Sequence, residues 1–506
     1  MNNQSRRDFI KTSVVAAAAT ASWSSTTARK PNLLFIWTDE QRPDTMAVYG
    51  NPNIHAPNLN KLAKESVVFQ RAYCTQPVCT PSRSSIMTGL WPHTNGCVKN
   101  NIPLKEETPC LPELLADPDY RTAYMGKWHL GDEIFPQHGF QEWVGMEDGY
   151  SKYYRSDRDQ NARSAYHHFL IDHGYEPDTS SGKFSRGFAA RRPLEHCKPK
   201  FLESQARDFI RRNRNDPFIL HVNFLEPHMP FFGPLDEEHT PEEVTLPKNL
   251  EDPLEDNEPL RYRLMRQHFA QEGWHENPLK TEEDWRDLIR KYWGLVTQVD
   301  LSVGGILEEL EKQGLADDTI VVYTSDHGDM MGSHRLLTKT VMYEESSRIP
   351  WLIRVPGKNQ RVFDRSVSQI DMVPTLLDLM GAKELSEGLP GQSLAPLMAG
   401  EDVAEDHVFI EWNATGSERR VPDSFRDATE AERIAAFDAS IRTVVSPDGW
   451  KLCLSTAGDK SQLFNLGEDP FETANLFDSG NHPSMIDRLS KRIHEWQKKV
   501  GDTVEV

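Results

Sequence analysis

Three short, nearly unbroken apolar runs decide most about what this chain can fold into. Pro31-Asn32-Leu33-Leu34-Phe35-Ile36-Trp37-Thr38-Asp39 is the first and Thr319-Ile320-Val321-Val322-Tyr323-Thr324-Ser325-Asp326 the last. Between them lies Pro217-Phe218-Ile219-Leu220-His221-Val222-Asn223-Phe224, with polar residues in its later half. Runs of this length without alternation are strands buried on both faces, as in a parallel sheet between helices. Helical patterns separate them, over 58–65, 111–115, 201–213 and 283–313. Strands alternating with helices imply an α/β fold, a large, mostly parallel sheet sandwiched by helices. Ligands bind such sheets at the carboxyl ends of the strands. Asp39 and Asp326, far apart in sequence, both stand at such ends.

Beyond about residue 400 the grammar changes. Arg442-Thr443-Val444-Val445, Trp450-Lys451-Leu452-Cys453-Leu454 and Gln462-Leu463-Phe464-Asn465-Leu466 read as short strands joined by turns such as Pro447-Asp448-Gly449, and an amphipathic helix follows over about 482–500. The expected organisation is a leader over 1–28, a catalytic α/β domain over 30–400, and a smaller C-terminal subdomain with an antiparallel sheet and terminal helix over 401–506. Two stretches, 132–200 and 230–280, show no sustained periodicity and read as insertions.

A chain of 506 residues with 38% apolar content can bury a large core. A net charge of −20 argues against a nucleic-acid partner, while a local cluster of Arg, Lys and His still leaves room for an anionic substrate. Six cysteines are too few for a disulfide framework in a chain this long. Any pairing among Cys74, Cys97, Cys110, Cys197 and Cys453 stays open. At the amino terminus, Ser5-Arg6-Arg7-Asp8-Phe9-Ile10-Lys11 resembles a twin-arginine export box. A mildly apolar stretch to Ala21 follows, with a small-residue cleavage site at Ala19-Thr20-Ala21. It is too short to span a bilayer. The expectation is a periplasmic or secreted protein without a membrane span, exported folded by the twin-arginine machinery.

The chemistry concentrates in Cys79-Thr80-Pro81-Ser82-Arg83-Ser84-Ser85-Ile86-Met87-Thr88-Gly89. Thr80 suits a helix cap, Pro81 its first position and Gly89 its end. Cys79 would then sit at the positive end of a short helix, one turn from Arg83, where a developing anion is stabilised. Asp39-Glu40 and Asp326-His327 offer two ligand pairs at strand ends for a hard divalent cation.

The Cys79 segment matches the Cys-x-Pro-Ser-Arg-x-x-x-x-Thr-Gly signature of type I sulfatases in the alkaline phosphatase superfamily. Further blocks extend the resemblance from about Pro31 to Leu476. Tyr120-Arg121-Thr122-Ala123-Tyr124-Met125-Gly126-Lys127-Trp128-His129 resembles the family's Tyr-x-Thr-x-x-x-Gly-Lys-Trp-His block, with Asp119 where glycine is usual. Pro227-His228-Met229-Pro230 and Lys339-Thr340-Val341-Met342-Tyr343-Glu344 resemble two more, and Leu463-Phe464-Asn465-Leu466 with Asp469-Pro470-Phe471-Glu472 the closing one.

The resemblance implies hydrolysis of a sulfate ester, with a sulfated carbohydrate as the leading substrate class. It implies that a maturation enzyme oxidises Cys79 to formylglycine, whose hydrate attacks sulfur and leaves a covalent sulfoenzyme. Asp39, Glu40, Cys79, Asp326 and His327 would hold one calcium ion. Glu40 stands where Asp is usual, and an imidazole at His327 draws preference towards manganese or zinc. Arg83, Lys127 and Lys339 would neutralise the sulfuryl oxygens, His129 would serve as a base, and His228 or Lys339 would protonate the leaving alcohol. Phosphodiesterases and phosphonate ester hydrolases share these motifs, and a relative that binds sulfated glycans without cutting them is a third reading. Tyr150, Lys152, Tyr153, Tyr154 and Arg155, in the first insertion, either meet an anionic sugar or cover the core.

Overall fold

The computed structural model describes residues 29–275, 277–414, 428–456 and 458–506. The expected leader over 1–28 lies outside the described residues.

The first apolar run forms β1 (Asn32–Asp39), every residue of it buried. It pairs in parallel on one side with β5 (Phe218–Pro227), Leu33 opposite Ile219 and Trp37 opposite Asn223. On the other side it pairs in parallel with β6 (Thr319–Ser325), Phe35 opposite Val322 and Thr38 opposite Ser325. The three runs are therefore the centre of the sheet. Beyond β5 lie β3 (Arg121–Gly126) and β4 (Glu142–Gly145), also parallel. Beyond β6 the direction turns. β8 (Trp351–Arg354) runs antiparallel to β6 and to β2 (Val67–Tyr73), which also pairs antiparallel with β7 (Arg348–Ile349) and parallel with β9 (Arg361–Ser368).

Alternation along β1 feeds two cores. Leu34 and Ile36 face one side, packed with Leu59 and Leu62 of the helix Pro57–Lys64, Leu202 and Phe209 of Lys198–Arg212, and Val299 and Ile306 of Glu282–Lys312. Leu33, Phe35 and Trp37 face the other, against Ile86 and Met87 of Cys79–Thr88 and Val373 and Leu377 of Met372–Leu379. Each such side chain contributes about 1.5–3 kcal/mol on full burial. This double burial is why the run lacks a polar face.

The antiparallel sheet follows the order β10 (Val408–Trp412), β11 (Ile441–Val445), β12 (Trp450–Ser455), β13 (Gln462–Asn465). One face takes Leu489, Ile493 and Trp496 of the helix Pro483–Val500, spaced at four and three residues. The other carries Ile410, Trp412 and Val445 onto Tyr73 and Val78 of the larger unit. Buried Lys451 Nζ donates to Glu344 Oε1 and forms an ion pair with Glu472 Oε1, each at 2.9 Å, across that junction.

The stretch over 132–200 is more ordered than its composition suggested. It contains β4, the helices Ala165–Asp172 and Arg186–Ala190 and the start of Lys198–Arg212. The stretch over 230–280 contains the helix Leu260–Glu272. All six cysteines are free and buried. Among the described residues no helix is long and apolar enough to cross a membrane.

Candidate active site

The site sits where β1 and β6 end. Asp39 is the last residue of β1, and Asp326 follows β6, its backbone N–H donating to Thr38 O at 3.1 Å. Glu40 turns the chain out of β1 in the left-handed region (φ 69°), its N–H bonded to Asp326 Oδ1 at 3.0 Å and its carbonyl to the Tyr292 hydroxyl at 2.7 Å. Gly328, two residues past Asp326, is needed where it is. A Cβ there would stand 1.9 Å from Glu345 O.

The helix Cys79–Thr88 points its first turn at these carboxylates, but it starts earlier than the sequence suggested. Its cap is Val78, with no side-chain bond, so Cys79 is already within the first turn. The Thr80 hydroxyl is drawn away to donate to His129 O at 2.8 Å, and it accepts from Asn101 N at 3.1 Å. Pro81 remains in the first turn, where its missing N–H costs nothing. Gly89 ends the helix at φ 70° as expected. Every residue of this helix is buried.

Arg83 holds the centre together. Its Nη2 donates to Asp39 Oδ2 at 2.8 Å and its Nε to Asp326 Oδ2 at 2.9 Å. Nη1 donates to Lys127 O at 2.8 Å and Asn223 Oδ1 at 3.0 Å, and the guanidinium lies 4.7 Å from the Trp37 ring. Lys127 Nζ bonds Asp39 Oδ2 in a very short contact. Burial would push Asp39 up, yet Lys127, His228, Arg83 and Lys339 hold it well below the usual carboxylate range. Lys127 is delivered by Gly126 (φ 121°) at the end of β3, where a Cβ would collide with Asn223 O at 1.9 Å. Lys127 and His129, two residues apart, do not lie on one extended segment. The strand ends at Gly126, and His129 adopts φ 59°. The Trp128 and His129 N–H groups both donate to Glu133, at 2.8 and 2.6 Å, which closes the loop and ends the extended run.

Asp39, Cys79, Asp326 and His327 bring ligand atoms within 4.8 Å of one another. Cys79 Sγ lies 3.7 Å from Asp39 Oδ1 and 3.4 Å from His327 Nε2. His327 Nδ1 donates to Gly328 O at 2.9 Å, which directs Nε2 at the carboxylates, 3.5 Å from Asp326 Oδ1. Burial opposes charge on this ring, but Asp326 pushes it up to about 9. A proton on Nε2 and a bound cation satisfy the same acceptors, so the donor set fits a divalent ion. Burial and Asp39 oppose ionisation of Cys79, but Lys339, Lys127 and the His327 bond outweigh them and lower its pKa.

Glu40 stands apart from that set. Its Oε2 takes Lys339 Nζ at 2.8 Å and faces His228 Nε2 at 3.4 Å, while buried Oε1 has no hydrogen bond. It groups with Asp39 and His228 and not with Cys79, Asp326 and His327. Burial raises Glu40 to about 8 despite Lys339. Burial, then Lys339, holds His228 well below 6.5, and its Nδ1 bonds Met229 O at 2.9 Å. Burial, Lys127 and Arg83 do the same to His129. His129 Nε2 bonds Asn101 Oδ1 at 3.0 Å, and buried Nδ1 has no hydrogen bond.

Several partners escaped the sequence reading. Asn223 was visible only as a polar break in the third run. Asp329, beside Glu40, shares the Asp326 loop, and Asn101 and Glu133 belong to no block. Of the insertion aromatics, Tyr150 packs on His129 at 4.6 Å between ring centroids, whereas Tyr154 is buried against Phe135.

Residues 31–382 match the family model described as Sulfatase, and residues 332–499 match one described as N-sulphoglucosamine sulphohydrolase, C-terminal. The chain is 27% identical over 488 residues to the ulvan-active sulfatase of Formosa agariphila, covering 94% of this chain and 82% of that protein. It is 26% identical over 515 residues to the N-acetylglucosamine-6-O-sulfatase of Bacteroides thetaiotaomicron, covering 94% and 87%. In fold it is similar to the phosphonate monoester hydrolase of Agrobacterium radiobacter, with a TM-score of 0.75 at 21% identity over 93% of this chain and 96% of that one. With a sulfatase model across most of the described chain and nearly full-length alignment to sulfatases, this chain belongs to the sulfatase family and is a sulfuric ester hydrolase.

Proposed function

We propose that the chain hydrolyses a sulfate ester on a carbohydrate, using formylglycine formed from Cys79 by a maturation enzyme and one divalent metal ion. The observation that carries this reading is the meeting of Cys79, Asp39, Asp326 and His327 within 4.8 Å, ringed by Arg83, Lys127 and Lys339. The carbohydrate rests on the polysaccharide and aminosugar sulfatases it aligns with. Export through the twin-arginine route, to the periplasm or beyond, is the accompanying proposal for residues 1–28.

When bound, the metal and the aldehyde hydrate supply a Lewis acid and an oxygen nucleophile for sulfur. Asp39, Asp326 and His327 would hold the ion, calcium as first choice, with Glu40 joining only if its carboxylate leaves Lys339. The chain's own residues do the rest. Arg83 fixes both aspartates, so their geometry is set before substrate arrives. Lys127 and Lys339 present ammonium protons to the sulfuryl oxygens. Burial opposes the charge on Lys339, yet the groups it faces, Cys79, Glu40 and Asp39, outweigh burial and raise its pKa above the ordinary lysine value. It therefore has a proton at Nζ for the departing alcohol, whereas neutral His228, with its Nδ1–H given to Met229 O, accepts at Nε2 from the alcohol O–H once that proton has arrived. His129, with Nε2 committed to Asn101, takes a proton at Nδ1.

The test compares kcat/KM of the matured protein on an aryl sulfate and an aryl phosphodiester. The sulfatase reading expects the sulfate to win by at least about tenfold. A preference for the diester would move the protein to the phosphodiesterase and phosphonate hydrolase reading, and turnover of neither would favour a binding protein.

A further inference from the structure

Beside the reacting groups lies a second feature that the motifs leave unexplained. Residues 146–150, 164–167 and 179–189 of the first insertion enclose a cavity of about 420 Å³. It borders the site in two places. Tyr150 forms part of its wall, its ring against His129 and its hydroxyl accepting from Arg186 Nη2 at 2.8 Å. Arg186 and Lys198 line both this cavity and the smaller cleft that contains His228. A group leaving sulfur on the His228 side therefore has this cavity next to it.

The charges in the wall do not cancel. Buried Glu147 is met by Arg186 Nε at 2.8 Å and Nη2 at 2.5 Å, and by Lys198 Nζ at 2.9 Å, two cations on one carboxylate. Asp148 is engaged by His167 Nδ1 at 2.8 Å, and burial holds that ring below its usual pKa. Lys183 Nζ donates to Ser151 Oγ at 2.8 Å and has no carboxylate partner among the described residues. Arg186 Nη1 likewise makes no hydrogen bond there. Three cations thus face two carboxylates, with donor N–H groups to spare beside an aromatic ring. An apolar alcohol would leave those donors unsatisfied, a cost a polar anion removes.

We propose that this cavity receives the sugar that carries the scissile sulfate and selects one bearing a second anionic group, a sulfate or carboxylate, through Lys183 and Arg186, with Tyr150 against the ring face. The inference rests on the sulfatase reading and names its substrate class.

The experiment is titration calorimetry on metal-loaded protein in a Cys79→Ala background, so that no ligand is consumed. The probes are glucosamine 6-sulfate and glucosamine 2-N,6-O-disulfate, and the readout is the ratio of their Kd values. The disulfate should bind about tenfold or more tighter, the lower range for a charge-assisted hydrogen bond. Lys183→Gln should remove most of that preference and Lys183→Arg should keep it. Because the readout is a ratio, a general loss of folded protein cancels. Equal Kd values, or a preference that Lys183→Gln leaves intact, would overturn the inference. Failure of unsubstituted, matured protein to turn over 4-nitrophenyl sulfate would instead defeat the sulfatase reading, while the Kd ratio still decides what the cavity binds.

Discussion

Arg83→Met removes a buried cation that pairs with two carboxylates at the centre of the site, while roughly keeping its volume. In the native chain the guanidinium is wholly buried and neutralises Asp39 and Asp326 at 2.8 and 2.9 Å. It also satisfies Lys127 O and Asn223 Oδ1 at 2.8 and 3.0 Å. Breaking a buried pair from one side costs about 3–5 kcal/mol, because the abandoned charge stays in place. Unfolding entropy scales with length, at about 2 cal/mol/K per residue, so one kcal/mol moves the Tm of a chain this long by about 1 °C. The expected loss is therefore about 3–5 °C, read by calorimetry at fixed scan rate in a chelator, so that metal does not support the carboxylates. Adding Asp326→Asn removes the stranded charge and should recover about 1 kcal/mol or more. A Tm within about 1 °C of the unsubstituted protein, or no recovery in the double variant, would refute the assignment of Arg83 as the group that holds the two aspartates.

Two further outcomes follow from groups already placed. Lys339→Gln should cost about a hundredfold or more in kcat on an alkyl sulfate, within the usual range for general acid catalysis, and much less on 4-nitrophenyl sulfate, whose phenolate leaves unprotonated. Equal losses on the two substrates would remove Lys339 from the donor role. His221, in the middle of β5, has neither ring nitrogen bonded, and burial alone pushes it down to about 3. Its folded pKa is depressed, so its contribution is intact above about pH 6.5 and is lost as pH falls towards 3. His221→Phe, next to stacked Phe35 at 4.7 Å, should make the Tm loss between pH 7 and pH 4 about 3 °C smaller, and an unchanged pH profile would contradict the assignment.

The sheet centre was legible because β1, β5 and β6 are buried on both faces and so write apolarity into consecutive residues. The outer strands were not. β2 is only half-buried at the adjacent Gln70 and Arg71, and β9 begins exposed at Arg361 and Val362, so neither makes a continuous run. The residues proposed to carry chemistry were readable as motifs, since Cys79 and Arg83 sit one helical turn apart and Asp39 and Asp326 stand at the ends of neighbouring strands. What local pattern cannot encode is which of two partners a side chain chooses. Glu40 turned to Lys339 and His228, and Thr80 to the His129 loop. Glu147, Arg186, Lys198 and Tyr150 meet only through tertiary packing, which is why their segment read as an aperiodic insertion.

The measurement that bears most directly on the account is the mass of the tryptic peptide spanning residues 72–83, from protein made with its maturation enzyme and alkylated before digestion. The account predicts that only Cys74 is alkylated and that position 79 has the mass of the aldehyde. Two alkylated cysteines in protein that turns over a sulfate ester would contradict it, because catalysis would then proceed without the nucleophile on which the site is read.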